Sequence, residues 1–256
     1  MKKSAIIFST LAGIAILAAC EKNSFFTSNY IPVTTQAQVK VNFFSSYRAN
    51  PPYQIKLNDV RISNNLTYAT PFPGGGLNTG GGSTADYISF NPGSNKVSIS
   101  LPKAGTDQDS VSLTTTTIDV AAGKTYSLYF ADTAANMTTL LVQDTLSRPD
   151  SGWAKFKFIN LIPDLPSADL YIGTTKVASA IPYKGVSPSF LLPTNSSSTT
   201  WAIRAAGGTT NLATYASAAS ITNQRVYTVV ARGYNSILNT ATTDPRRRSV
   251  SLIYNQ

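Results

Sequence analysis

The sequence predicts an all-β chain: two tandem immunoglobulin-like antiparallel β-sandwich domains following a lipoprotein signal peptide. Three observations carry that expectation. Short runs rich in Val, Ile, Phe, Tyr and Thr alternate apolar with polar residues between Gly, Pro, Asn, Asp and Ser punctuation, and no segment shows a helical period. A hairpin-bearing stretch recurs at a constant offset. The first twenty residues have the layout of an export signal ending in a cysteine.

Lys2 and Lys3 open the chain, an apolar stretch runs from Ala5 to Leu17, and Leu17-Ala18-Ala19-Cys20 follows. Small residues ahead of a cysteine are the cleavage pattern of a lipoprotein signal, so residues 1–19 are expected to be removed and Cys20 to carry lipid. A transmembrane helix is the competing reading, but the run is shorter than the roughly 20 residues a bilayer requires and includes Ser, Thr and Gly. Two or more acyl chains give stable anchoring where one does not, so the expected partner of Cys20 is membrane lipid and the expected location is the cell envelope. The outer membrane is the expected site, on its periplasmic or its surface face. Residues 20–36 then read as a polar tether.

Composition excludes several chemistries. There is no histidine, Cys20 is the sole cysteine, and Glu21 is the sole glutamate. Serine–histidine and cysteine–histidine hydrolysis, disulfides and ordinary zinc sites lack their residues, and no cofactor is expected. The net charge of +9 falls to +7 once Lys2 and Lys3 are removed. The remaining basic residues are dispersed. Lys155 and Lys157 alternate with Phe156 and Phe158, which reads as a strand with one wet face rather than a nucleic-acid surface, and no nucleic acid is expected as a partner. Arg246, Arg247 and Arg248 follow an Asp244-Pro245 turn and read as a solvated strand entrance, with contact to anionic lipid as the competing reading.

The alternating runs give the strands. Val39, Val41 and Phe43 alternate with Lys40 and Asn42, Val97, Ile99 and Leu101 with Ser98 and Ser100, and Tyr126, Leu128 and Phe130 continue the pattern. The stretch from Tyr53 to Ile62, followed by Tyr68, lines up with Ala168 to Val177, followed by Tyr183, at an offset of 115 throughout. Each copy places a two-residue turn, Asn58-Asp59 or Gly173-Thr174, between alternating runs, as a tight hairpin requires. Upstream, Ala37 to Val41 matches Ala154 to Phe158, and downstream Ile118 and Tyr126 match Ile221 and Tyr227. Two domains of one fold follow, at 37–148 and 153–256, with residues 149–152 as linker. The first copy is longer between its shared Tyr and Ile, and the surplus falls on the glycine-rich run from Gly74 to Gly82. No helix signal and no Lys-Ser/Thr follow it, so it reads as a flexible surface loop rather than a phosphate cradle.

From Phe156 to Gly173, through Pro163-Asp164 and Asp169, with Tyr183-Lys184-Gly185 after it, the sequence resembles the family called domain of unknown function 4397. The resemblance implies an extracytoplasmic β-sandwich of lipoproteins, without an assigned activity. Asp164 and Asp169 read as turn and corner residues whose carboxylates accept backbone amides. Two alternatives stay open for them: a calcium site, for which Asp107 and Asp109 are a further candidate pair, and the acids of an aspartate-based or metal-dependent hydrolase. Trp153, Tyr47, Tyr53, Phe72 and Tyr215 lie near turns, where an exposed ring could stack on a sugar or partner protein, whereas Trp201 alternates with Ile203 and reads as core. The functional expectation is a non-enzymatic, lipid-anchored binding or structural module, whose partner is an unknown envelope protein or glycan. An accessory subunit of an outer-membrane transport complex is a further alternative.

Overall fold

The computed structural model describes residues 33–256 apart from residue 107, so the predicted signal peptide, Cys20 and most of the tether lie outside the described residues. The described chain is all-β, as its alternation predicts, and its four sheets pair into two sandwiches in tandem. The first comprises β1 (Ala37–Phe43), β2 (Gln54–Leu57), β3 (Val60–Arg61), β4 (Pro71–Phe72), β5 (Ile88–Phe90), β6 (Gly93–Pro102), β7 (Asp109–Val120), β8 (Thr125–Ala131) and β9 (Thr138–Gln143). The second comprises β10 (Trp153–Asn160), β11 (Ser167–Ile172), β12 (Thr175–Pro182), β13 (Phe190–Pro193), β14 (Thr200–Ala205), β15 (Ala213–Ala216), β16 (Val226–Arg232) and β17 (Ser249–Tyr254). In the first, β4-β1-β8-β9 with β5 faces β3-β2-β6-β7; in the second, β13-β10-β16-β17 faces β12-β11-β14-β15.

The internal repeat is a structural one. Leu57 pairs with Val60 and Ile172 with Thr175, so both two-residue turns close hairpins at equivalent positions. Asn58 and Asp59 both take positive φ, at 48° and 69°, a conformation Asn and Asp tolerate better than most residues. The cores repeat too: Val39 sits opposite Tyr126 and Phe156 opposite Tyr227. One feature departs from the antiparallel expectation. β1 runs parallel to β8, and β10 parallel to β16, because the whole facing sheet intervenes in the chain and returns it to the same end.

Each sandwich has its own core, with Trp201 fully buried against Phe156, ring centroids 4.9 Å apart, in the second. A third apolar cluster lies between the sandwiches. Phe44, Tyr129, Ala131 and Val142 from the sheet of β1 meet Ile159, Leu161, Val230 and Ile253 from the sheet of β10. Strand alternation explains the arrangement: while Val39 and Val41 face one core, Lys40 and Asn42 face the neighbouring sandwich, and both are fully buried. The wet face expected from the alternation of Lys155 and Lys157 is therefore corrected. Lys157 turns its ammonium onto the buried carboxylate of Asp144, which also accepts from Ser127 Oγ at 2.5 Å. Lys40 Nζ donates to the carbonyl of Tyr254 at 2.7 Å and lies 4.6 Å from the centre of the Tyr87 ring. The described residues from Val33 to Gln256 accordingly form one compact unit.

The glycine-rich run is corrected as well. It is a strap from the first sandwich onto the second. Leu77 bridges Ile253, Asn78 N donates to Leu252 O, and Leu252 N donates to Asn78 Oδ1, both at 2.7 Å, so the strap covers the free edge of β17. Gly80 O then accepts from Tyr227 OH and Thr222 Oγ1 at 2.9 Å. Glycine is required there: φ is +62°, and a Cβ would stand 2.4 Å from the carbonyl oxygen of Ala219.

Candidate functional site

Asp164 and Asp169 are committed to backbone amides. Asp164 accepts from the amides of Asn235 at 2.6 Å and Ser236 at 2.8 Å, fastening the corner after β10 to the loop after β16. Asp169, fully buried in β11, accepts from Ala180 N at 2.7 Å and Gly207 N at 3.1 Å and pairs with Lys176 at 2.7 Å. The pairing of β11 with β12 is irregular here, and Ala180 has a positive φ of 51°, so the carboxylate satisfies an amide beside a distorted ladder. Burial works to raise the Asp169 carboxyl, but Lys176 and the two amides outweigh it and hold the group below its ordinary value. The equivalent position in the first copy is Gln54, whose Nε2 donates to Asp109 Oδ1 at 2.6 Å. Asp109 also receives Lys56 and Ser100, and Asp107 lies outside the described residues. Among the described residues, no three His, Cys, Asp or Glu side chains group as metal ligands.

Two of the five candidate stacking aromatics are internal and two more are half-buried with their hydroxyls engaged. Tyr53 and Phe72 are buried, Tyr47 accepts from Ala134 N, and Tyr215 donates to Asn78 O, leaving Trp153 exposed at the start of β10. The arginine run stands half-exposed at the entrance to β17 and divides three ways. Arg246 pairs with Asp244 at 2.8 Å and holds its carboxyl down at about 2, Arg248 donates to Leu212 O and Asn235, and Arg247 bonds Thr242 O.

Arg247 opens onto a feature that sequence reasoning missed. A cleft of about 400 Å³ lies at the junction of the sandwiches. The β1–β2 loop brings Arg48 and Asn50, the segment before β4 brings Tyr68, the end of β16 brings Arg232, and the β16–β17 loop brings Thr242, Thr243 and Arg247. Gly233 permits the close approach, since a Cβ there would stand 2.3 Å from Arg247 O. Arg232 is fixed in place: Nε donates to Ser251 Oγ at 2.9 Å, Nη1 donates to Tyr68 OH at 2.8 Å, and the guanidinium lies 5.2 Å from the Tyr68 ring centre. Tyr68 and Tyr183 are the repeated tyrosines, and each reaches the other sandwich, Tyr68 to Arg232 and Tyr183 to Thr138. That repetition was the available sequence signal for the junction.

The chain matches the family described as domain of unknown function (DUF4397) over residues 37–167 and 154–251. No curated protein matches it. Among solved structures, a proposed adhesin from Bacteroides ovatus is 8% identical and aligns over 77% of this chain and 89% of that one, with a TM-score of 0.18. A leucine-rich repeat protein from Bacteroides thetaiotaomicron is 16% identical over 72% of this chain and 24% of its own, with a TM-score of 0.16. Similarity at that level carries nothing about function.

Proposed function

This chain belongs to the DUF4397 family, whose description names no activity, and from its own chemistry we propose that it is a non-enzymatic binding module held at the cell envelope by lipid on Cys20. The sequence Leu17-Ala18-Ala19-Cys20 supports the anchor. No helix among the described residues is long and apolar enough to cross a membrane. The observation that carries the binding role is the junction: two sandwiches joined by a buried layer present a preformed cationic cleft between them. A hydrolase built on Asp164 and Asp169 would need them free to take up protons, whereas backbone amides and Lys176 occupy them.

The test is fractionation of cells expressing the chain or its Cys20→Ser variant, followed by affinity capture from solubilised envelopes. The native chain is expected in the membrane fraction and the variant in the soluble one, with a reproducible envelope component retained on the captured protein. A variant that still sediments with membranes sinks the anchor, and capture of nothing beyond control levels sinks the binding role.

A further inference from the structure

We propose that the junction cleft binds an acidic saccharide through a carboxylate or phosphate group, an assignment that rests on the reading of the chain as a binding module. Arg48, Arg232 and Arg247 come from three separate loops and strand ends into one cleft of about 400 Å³, and no carboxylate lines it. The nearby acid, Asp244, is bonded by Arg246 through Nε and Nη2, and its charge also acts on Arg48 without a hydrogen bond between them. Arg232 is partly buried, yet its hydrogen-bond partners are two hydroxyls, Ser251 and Tyr68, and its other contacts are the Tyr68 and Phe44 rings rather than an acid. A guanidinium withdrawn from water without a counter-charge is costly, and an oxyanion seated against it restores the balance. Three guanidinium groups around one space also match the planar, two-pronged acceptor geometry of a carboxylate or phosphate.

The rest of the lining selects the carrier of that anion. Asn50, Thr242 and Thr243 offer amide and hydroxyl groups suited to a polyhydroxylated ligand. The Tyr68 ring is already engaged by the Arg232 guanidinium, so it is not a free platform for a nucleobase or an apolar side chain. Apolar lining is confined to Ala69, Leu77 and Pro245. A hydrophilic acid of sugar size fits this surface, and neutral sugars lack the group the arginines require.

Isothermal titration of the full chain carrying Cys20→Ser, with trigalacturonate, glucose 6-phosphate, maltotriose and inorganic phosphate as probes, tests the proposal and separates carboxylate from phosphate carriers. At least one of the two acidic sugars is expected to bind, more tightly than inorganic phosphate, with maltotriose silent. Arg48 is exposed and makes no hydrogen bond to the protein among those described, so Arg48→Gln leaves the fold intact and is expected to weaken binding about tenfold, the loss of one charge-assisted bond. Arg247→Gln is expected to weaken it similarly. Binding by neither acidic sugar, binding no tighter than inorganic phosphate, or binding unchanged in Arg48→Gln overturns the site. Fractionation of Cys20→Ser is independent of the cleft, so failure here leaves the anchor standing, and failure there leaves the cleft standing.

Discussion

Asp144 is the point at which the join between the sandwiches is most exposed to a single substitution. Its side chain is fully buried and that of Lys157 is 12% exposed, so the pair sits where water screens little. Asp144→Asn keeps the shape, removes the charge, leaves Lys157 without its partner and leaves the fully buried Lys40 with Asp86 as its remaining counter-charge. Removing one partner of a buried pair costs about 3–5 kcal/mol, and the residual exposure of Lys157 places the expected loss near the lower end, about 3 kcal/mol. For a chain of this size that corresponds to a fall in Tm of about 6–12 °C. Urea and thermal unfolding followed by circular dichroism read the effect. Asp59→Asn is the control: its pair with Lys96 is 73% and 42% exposed, and its loss should change stability by less than about 1 kcal/mol. Adding Lys157→Met to Asp144→Asn should recover much of the loss, because the uncompensated cation is then gone. If Asp144→Asn costs no more than Asp59→Asn, the buried layer does not hold the sandwiches together.

Two further outcomes follow from the same junction. Desolvation lowers the Lys40 ammonium from 10.5 to about 8 against the opposing pull of Asp144 and Asp86, so its charged form is disfavoured in the folded state. That penalty is present in full below pH 8 and is relieved as pH rises towards 10.5; between pH 7 and 9.5 stability should gain about 2 kcal/mol from this group, and Lys40→Met should abolish the gain. The Tyr87 and Tyr129 hydroxyls, pushed up by burial, stay neutral in the fold while they begin to ionise in the unfolded chain as pH nears 10, so they offset a small part of the gain, which the comparison with Lys40→Met removes. Urea midpoints across the window check the sign: stability that falls from pH 7 to 9.5 contradicts it. Gly80→Ala should lift the strap from β17, since the new Cβ cannot stand 2.4 Å from Ala219 O. Limited proteolysis should then cut between residues 74 and 82 at least tenfold faster, an outcome expected when a local opening loses about 1.4 kcal/mol or more of protection; unchanged cleavage refutes the strap.

Local signals in the sequence were legible where the physics is local. The Asn58-Asp59 and Gly173-Thr174 turns, the alternation around Val39 and Phe156, and the core position of Trp201 follow from strand period and turn chemistry, and the structure places them accordingly. The junction was not legible for the same reason. Lys40 and Lys157 occupy the polar phase of their strands, and alternation alone cannot say whether that phase meets water or a second sheet. The run from Gly74 to Gly82 has the composition of a loop, while its partner Leu252 stands far along the chain, so nothing nearby marks it as an edge cover. Arg48, Arg232 and Arg247 belong to no shared motif; the loops that carry them converge only once the sandwiches are joined.

The cleft and the buried lysine layer exist only if the two sandwiches act as one body, and cooperativity of unfolding tests that directly. Scanning calorimetry of the full chain carrying Cys20→Ser should give one transition with a calorimetric to van 't Hoff enthalpy ratio of about one. Two resolved transitions, or a ratio of about two, would show the sandwiches melting independently and would contradict a single rigid module.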